Sequence, residues 1–297
     1  MSENVLSVRD LEVTHRVSGE PVVRGLDLAL RRGQVLGIVG ESGSGKTVSI
    51  RAVLGILPGV LEVTRGTVEI HGRDTREFTT RDWVDTRGNV IAAVFQDPGS
   101  YLNPSIRLGR QVEEVLRVKR GLSRTAARAE TLRLFEAVHL RNPALVVTQY
   151  SHELSGGMLQ RVLLAIAIAL GPDILIADEA TTALDVTVQA EILDLLVELK
   201  ESEGLSLVVI SHDLAVVAQV CDEVLVMRHG EVAEQGTAHE VLHAPQHPYT
   251  QLLIAEHERY GLDHFFARHE AAQLDAAREL PPAAAVAAHV EEVVSYA

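Results

Sequence analysis

The sequence predicts an α/β fold with a parallel sheet, on three observations. Short apolar runs with no polar face, Gln34 to Val39 (QVLGIV), Asn89 to Phe95 (NVIAAVF), Ile174 to Ala177 and Leu207 to Ile210, suit strands covered on both sides. These runs alternate with helix-patterned stretches over Thr47 to Leu57, Gly156 to Leu170 and Val188 to Glu201, the order of a sheet layered between helices. A glycine-rich octet joins the first run to the first helix, and ligands of such folds bind at the carboxyl ends of the strands.

In chain order, the first ~70 residues read as strands. Val5–Val17, Val22–Leu30 and Gly66–His71 are alternating or β-branched runs, the first two separated by the turn Ser18-Gly19-Glu20-Pro21. Pro58-Gly59 stops the first helix. From Ser105 to about His139, Val112, Val115, Leu116, Leu132 and Phe135 recur at three- and four-residue spacing, so this section is helical and interrupts the alternation as an inserted subdomain. Residues 270–297 are rich in alanine, are broken by Pro281-Pro282, and read as a loosely ordered tail.

Composition narrows the function. The 297 residues are 46% hydrophobic, too apolar for general disorder. The longest apolar run, Val162 to Leu170, is short of the roughly 20 residues that cross a bilayer, and it is apolar nearly all round, as a core helix is. The start, MSENVLSVRD, has neither the basic nor the apolar region of an export signal. Cys221 is the single cysteine, so no disulfide framework forms. A net charge of −14 argues against a nucleic-acid binder. The basic stretch Arg107, Arg110, Arg117, Lys119, Arg120, Arg124 and Arg128 reads as a solvated face, or as a surface drawn to acidic loops or headgroups. His239, His243 and His247 stand four residues apart, but Pro245 and Pro248 break their register, which favours packing over metal binding.

Three motifs carry chemistry. Gly40-Glu41-Ser42-Gly43-Ser44-Gly45-Lys46-Thr47 matches G-x-x-x-x-G-K-[ST]. Its glycines let backbone N–H groups curl around phosphate oxygens, Lys46 reaches the β- and γ-phosphates, and the Thr47 hydroxyl ligates Mg²⁺. Asp178 and Glu179 end the apolar run Ile174–Ala177, which puts them at a strand's carboxyl edge. Asp178 there suits Mg²⁺, and Glu179 suits polarisation of an attacking water. Ser155-Gly156-Gly157 opens a long apolar helix, with Ser155 as cap and two glycines leaving N–H groups unobstructed, a second anion-binding terminus. One chain has little use for two such termini, so the second serves a neighbour's nucleotide.

The motif order resembles an ATP-binding cassette (ABC) ATPase over residues 5–255. Beside the octet it includes Gln96 in VFQDP, the signature Leu154–Gln160, Asp178-Glu179, Ala183-Leu184-Asp185 and His212 in SHD. The resemblance implies a P-loop NTPase (RecA-like) core with an N-terminal antiparallel β subdomain and an inserted helical subdomain at about 100–160. The ATPase domain then spans 1–255, and 256–297 is a C-terminal extension. It implies ATP and Mg²⁺ as ligands, with Mg²⁺ on Thr47, Asp178 and Gln96. Glu179 is the base or water polariser, His212 meets the γ-phosphate, and His15 takes the adenine-stacking position. Two cassettes pair head to tail, so that Ser155, Gly156 and Gly157 of one chain close on the Lys46 loop of the other, with Asp185 at the junction.

GESGSGK, LSGGMLQR, TTALDVTVQAEIL and HPYTQLL are similar to the ATPase subunits of peptide, opine and nickel importers. That implies a second, non-identical ATPase, two permeases, a substrate-binding protein, and a place on the cytoplasmic face of the cell membrane. The alternative is an ATPase of a soluble complex such as a carbon–phosphorus lyase accessory. Four departures stand out: His15 replaces an aromatic residue, Ala180 a proline, and Val48 a second hydroxyl, while the lone Cys221 precludes the cysteine cluster some members carry.

Overall fold

The computed structural model describes residues 4–180, 186–214, 217 and 220–259. They divide into a compact unit ending at Gln251 and a second beginning at Leu252. Asp185 and most of the C-terminal extension lie outside the described residues.

The first unit holds two sheets. β1 (Asn4–His15), β2 (Pro21–Arg31), β4 (Leu61–Ile70) and the two-residue β5 (Arg73–Asp74) form an antiparallel sheet in the order β2-β1-β4-β5. The second sheet has the order β10-β9-β3-β8-β7-β6. In it β3 (Val35–Val39), β6 (Ile91–Val94), β7 (Ile174–Asp178), β8 (Ser206–Ser211) and β9 (Glu223–Arg228) run parallel, and β10 (Glu231–Thr237) closes one edge antiparallel. Every residue of β3, β7 and β8 is buried, as their unbroken apolar sequence requires.

Period-two alternation sends the side chains of these strands to two separate cores. Ile174, Ile176, Val208, Ile210, Leu36 and Ile38 join Leu6, Leu26 and Leu30 of the antiparallel sheet, with Ile50 and Val53 of α1 (Lys46–Val53) between. Leu175, Ala177, Leu207 and Val209 face the opposite way, onto α6 (Gly156–Ile168) and α7 (Val186–Glu203). The second core continues into α3 (Leu108–Arg120), α4 (Arg124–Ala137) and the short α5 (Pro143–Val146), where Leu116, Leu134, Phe135 and Val146 are buried. The run Val162–Leu170 lies largely within this core, and no described helix is long and apolar enough to cross a membrane.

Two expectations change. The first helix ends at Val53 rather than Leu57, because Gly55 turns the chain at φ 63°. A Cβ at Gly55 would stand 2.6 Å from the Trp83 ring, so the chain turns there to admit Trp83 of α2 (Thr80–Thr86). β9 and β10 also escaped the sequence reading. β10 is mostly half-exposed and carries Glu231, Glu234 and Gln235, so it shows no apolar run.

Candidate nucleotide site

β3, β8, β7 and β6 are neighbours in the sheet. The segments leaving their carboxyl ends are the Gly40–Gly45 loop, His212, Asp178-Glu179 and Gln96. Motifs more than a hundred residues apart therefore meet along one edge, where α/β folds bind ligands.

The loop is built on glycine. Gly40, Gly43 and Gly45 have φ 148°, 83° and 104°, values that side-chain-bearing residues avoid. Gly40 is also fixed by space, since a Cβ there would lie 2.2 Å from the Met227 carbonyl oxygen of β9. The Gly230 N–H donates to the Ser44 carbonyl at 2.9 Å, tying the loop to the β9–β10 turn. Gly45 caps α1 with no side-chain hydrogen bond, and the first turn of that helix holds no acid, so its N–H groups remain available for an anion. Among the described residues the buried Ser44 hydroxyl has no hydrogen-bond partner, and a buried hydroxyl of this kind invites a ligand oxygen. Val48, in the first turn of α1, packs its half-buried side chain on the apolar core.

Lys46 is buried, and its Nζ donates to the carbonyls of Gly40 at 2.7 Å and Glu41 at 2.9 Å. Burial lowers its pKa, while Glu179, Asp178 and Glu41 pull it back up. Thr47 Oγ1 donates to Asp178 Oδ1 at 3.1 Å. Burial raises the Asp178 pKa against the Thr47 bond and the nearby Arg51 and Lys46. Both shifts come first from burial, and an added opposite charge would offset that desolvation. Triphosphate would supply negative charge to Lys46, and a divalent cation would supply positive charge to Asp178. A hydroxyl beside a carboxylate is the oxygen donor set Mg²⁺ prefers. The residues fit both groups.

Glu179 stands just beyond β7 with φ 50°, a left-handed backbone unusual for this residue type. Its N–H donates to the Ile210 carbonyl of β8 at 3.0 Å, which ties the reversal to the neighbouring strand. The carboxylate lies 4.0 Å from Nδ1 of His212, whose side chain is half exposed. Gln96 is exposed two residues past β6, at the same edge. His15 ends β1 with its Nδ1 accepting from the Ser18 N–H at 3.3 Å. The hairpin it belongs to reaches the loop, because the Val22 carbonyl lies 3.2 Å from where a Cβ on Gly45 would stand.

The Ser155 terminus opens α6. Ser155 and Gly156 are exposed, and the Ser155 hydroxyl accepts from Met158 N–H of its own helix at 3.4 Å. Gly157 has a packing role that the sequence reading missed, since a Cβ there would fall 2.5 Å from Val188 Cγ1 of α7. Met227 and Gly230, the walls of the loop, were likewise missed because they lie on the unread β9–β10 hairpin.

Residues 23–182 match the family described as ABC transporter. The dipeptide transport ATP-binding protein DppD of Bacillus subtilis (strain 168) is 42% identical over 264 residues, 88% of this chain and 79% of that protein. The oligopeptide transport ATP-binding protein OppD of Lactococcus lactis subsp. cremoris (strain SK11) is 42% identical over 85% of this chain and 75% of its own length. Among solved structures, cbiO1 of Clostridium perfringens, part of the ABC transporter complex cbiONQ, aligns with a TM-score of 0.71 at 27% identity, covering 80% of this chain and 90% of that one. A dimeric ATP-binding cassette in a post-hydrolysis state with ADP and Pi aligns at 0.69 and 26% identity, over 78% of this chain and 98% of its own. The loop geometry and these likenesses agree: the chain belongs to the ABC transporter family, as one of its ATP-hydrolysing cassettes.

Proposed function

We propose that this chain is the ATPase subunit of an importer that takes up peptides or a related small solute, such as an opine or nickel chelate, and that it works at the cytoplasmic face of the membrane. Its ATPase domain is residues 1–255, with the helical insertion at about 100–160, and residues 256–297 form an extension. The uptake reading is supported by the two peptide-transport relatives.

In this proposal Gly40, Ser42, Gly43, Ser44, Gly45 and the backbone of Val48 cradle the phosphates, and Lys46 neutralises them. His15 lies under the adenine. Thr47 and Asp178 would hold Mg²⁺, with Gln96 beyond β6 as a further oxygen donor. When bound, the ion offsets charge on the phosphate oxygens. Glu179 orients the attacking water and takes its proton, and His212 steadies the terminal phosphate. The observation that carries the proposal is the Thr47–Asp178 hydrogen bond of 3.1 Å beside the Glu179–His212 pair at 4.0 Å, across motifs far apart in sequence. The exposed start of α6 supports pairing with a second, non-identical cassette, in which Ser155, Gly156, Gly157 and Asp185 of this chain complete the partner's site and the partner's corresponding segment completes this one. A monomer then hydrolyses ATP slowly.

The helical section offers the permeases a face. Among its cations, Arg128 pairs with Glu113 at 3.1 Å, Arg120 with Glu130 at 3.0 Å, and Lys119 donates to the Val84 carbonyl at 2.8 Å. Arg107, Arg110, Arg117, Arg124 and Arg128 outnumber Glu113 and Glu114 in lining a groove of about 1200 Å³, a net basic surface suited to an acidic loop of a permease. The test is a pull-down of the tagged Glu179→Gln chain with ATP from detergent-solubilised native membranes. Two multi-span permeases and a second cassette support the importer, whose substrate-binding protein then identifies the cargo. A soluble enzyme complex without membrane chains, such as a carbon–phosphorus lyase assembly, overturns it.

A further inference from the structure

We infer that Tyr249 is a positioning residue for nucleotide binding, its hydroxyl holding the phosphate loop in its curled form through the backbone of Glu41. The inference rests on reading the Gly40–Thr47 loop as an ATP cradle, and it adds a residue that lies more than two hundred positions downstream of that loop.

The Glu41 N–H donates to the Tyr249 hydroxyl at 3.2 Å. The carbonyl of the same residue accepts from Lys46 Nζ at 2.9 Å. One peptide residue thus connects a buried tyrosine on one side to the phosphate-binding lysine on the other. Tyr249 is only 2% exposed, whereas Glu41, Ser42 and Gly43 around its contact are all exposed. The most open part of the loop is therefore fastened to one of the least mobile kinds of group, an aromatic ring fixed by packing.

Tyr249 and the turn that leads into it have contacts of their own. The Arg228 guanidinium carbon lies 4.6 Å from its centre, in cation–π range. The Tyr249 N–H donates to His247 Nδ1 at 3.1 Å. The N–H groups of Gln246 and His247 donate to the Glu234 carboxylate of β10 at 2.8 and 3.1 Å. These bonds exist without reference to the loop, so the hydroxyl is placed before any nucleotide arrives.

A loop with three glycines at positive φ loses much conformational freedom when it closes on phosphate. Fixing it in advance reduces that entropic cost and appears as affinity. The second backbone tie, Gly230 N–H to Ser44, cannot be removed by trimming a side chain. The Tyr249 hydroxyl can. Its hydrogen bond uses an N–H directed at the tyrosine, so removing the hydroxyl takes no donor away from the phosphates.

The experiment compares the full chain with its Tyr249→Phe variant, which keeps the ring over Arg228. Mg²⁺-ATP affinity is measured by calorimetry, steady-state ATPase by phosphate release, and exchange at the Glu41 amide by hydrogen–deuterium mass spectrometry. Loss of one such hydrogen bond predicts about fivefold weaker binding and an equal rise in KM, with kcat unchanged. It also predicts faster exchange confined to the loop, and Tyr249→Leu should exceed Tyr249→Phe in both effects. Unchanged affinity, unchanged exchange at Glu41, or a fall in kcat at constant KM would each overturn the inference. If the unmodified chain binds no Mg²⁺-ATP, the cradle reading fails first and takes this inference with it.

Discussion

Replacing Gly40 with alanine isolates the steric demand that shapes the phosphate loop. An ideal Cβ at Gly40 lies 2.2 Å from the Met227 carbonyl oxygen and 2.9 Å from Ser44 Oγ, on a backbone at φ 148°. Close carbon–oxygen contacts run near 3.3 Å, so roughly 1 Å of movement is needed. The obstacle is backbone in β9, which is locked to β3 by the pairs Ile38↔Leu225 and Val39↔Val226, and it cannot swing aside as a side-chain tip would. Overpacking of this kind costs about 1–3 kcal/mol, and the unfavourable φ adds about 1–3 kcal/mol. The sum of about 2–6 kcal/mol is a large part of the ~5–15 kcal/mol that holds a domain folded. Gly43→Ala is the internal control, since φ there is 83° but none of the described residues comes within 4 Å of the added Cβ. It should cost only the backbone part, about 1–2 kcal/mol. Urea titration of both variants without nucleotide reads the difference. Equal stabilities within about 0.5 kcal/mol would refute the claim that β9 backbone, rather than φ alone, requires glycine at position 40.

Other expectations follow from the same geometry. Glu179→Gln should keep Mg²⁺-ATP binding and lose at least about 100-fold in turnover, read as phosphate release, and turnover equal to the unmodified chain would remove Glu179 from the reaction. Burial holds the Asp178 pKa above its ordinary 3.8, so above that pH the native state retains a proton the unfolded chain has released. Its contribution to stability therefore falls as pH rises from 3.8 to the raised value and is level beyond. Asp178→Asn should flatten that segment of the denaturation-midpoint profile, and an unaltered slope would place the titration elsewhere. Gly157→Ala should destabilise by about 1–3 kcal/mol through its 2.5 Å approach to Val188 Cγ1. Val188→Ala should restore the loss, and if the double variant is no more stable than Gly157→Ala, the helix contact does not explain the glycine.

The local chemistry of this protein was written in its sequence. The strands buried on both faces are continuous apolar runs, and the cradle is a contiguous octet whose glycines, lysine and threonine carry their meaning in order. Asp178-Glu179 could be placed at a strand end because Ile174–Ala177 has no polar face. Patterns of this kind depend on neighbours along the chain, and the periodicity of a strand or helix records them directly.

Tertiary structure decided what depends on neighbours in space. Only the strand order β3-β8-β7-β6 brings Thr47 to Asp178 and Glu179 to His212. Of the β9–β10 hairpin only β10 is a polar edge without an apolar run, yet the hairpin's Met227 carbonyl and Gly230 N–H confine the loop. Tyr249 stood in the sequence only as part of a pattern, HPYTQLL, with no chemistry of its own. Its hydroxyl gains a role from a 3.2 Å contact across more than two hundred residues, and hydrogen bonds of that range leave no periodic trace in the chain that makes them.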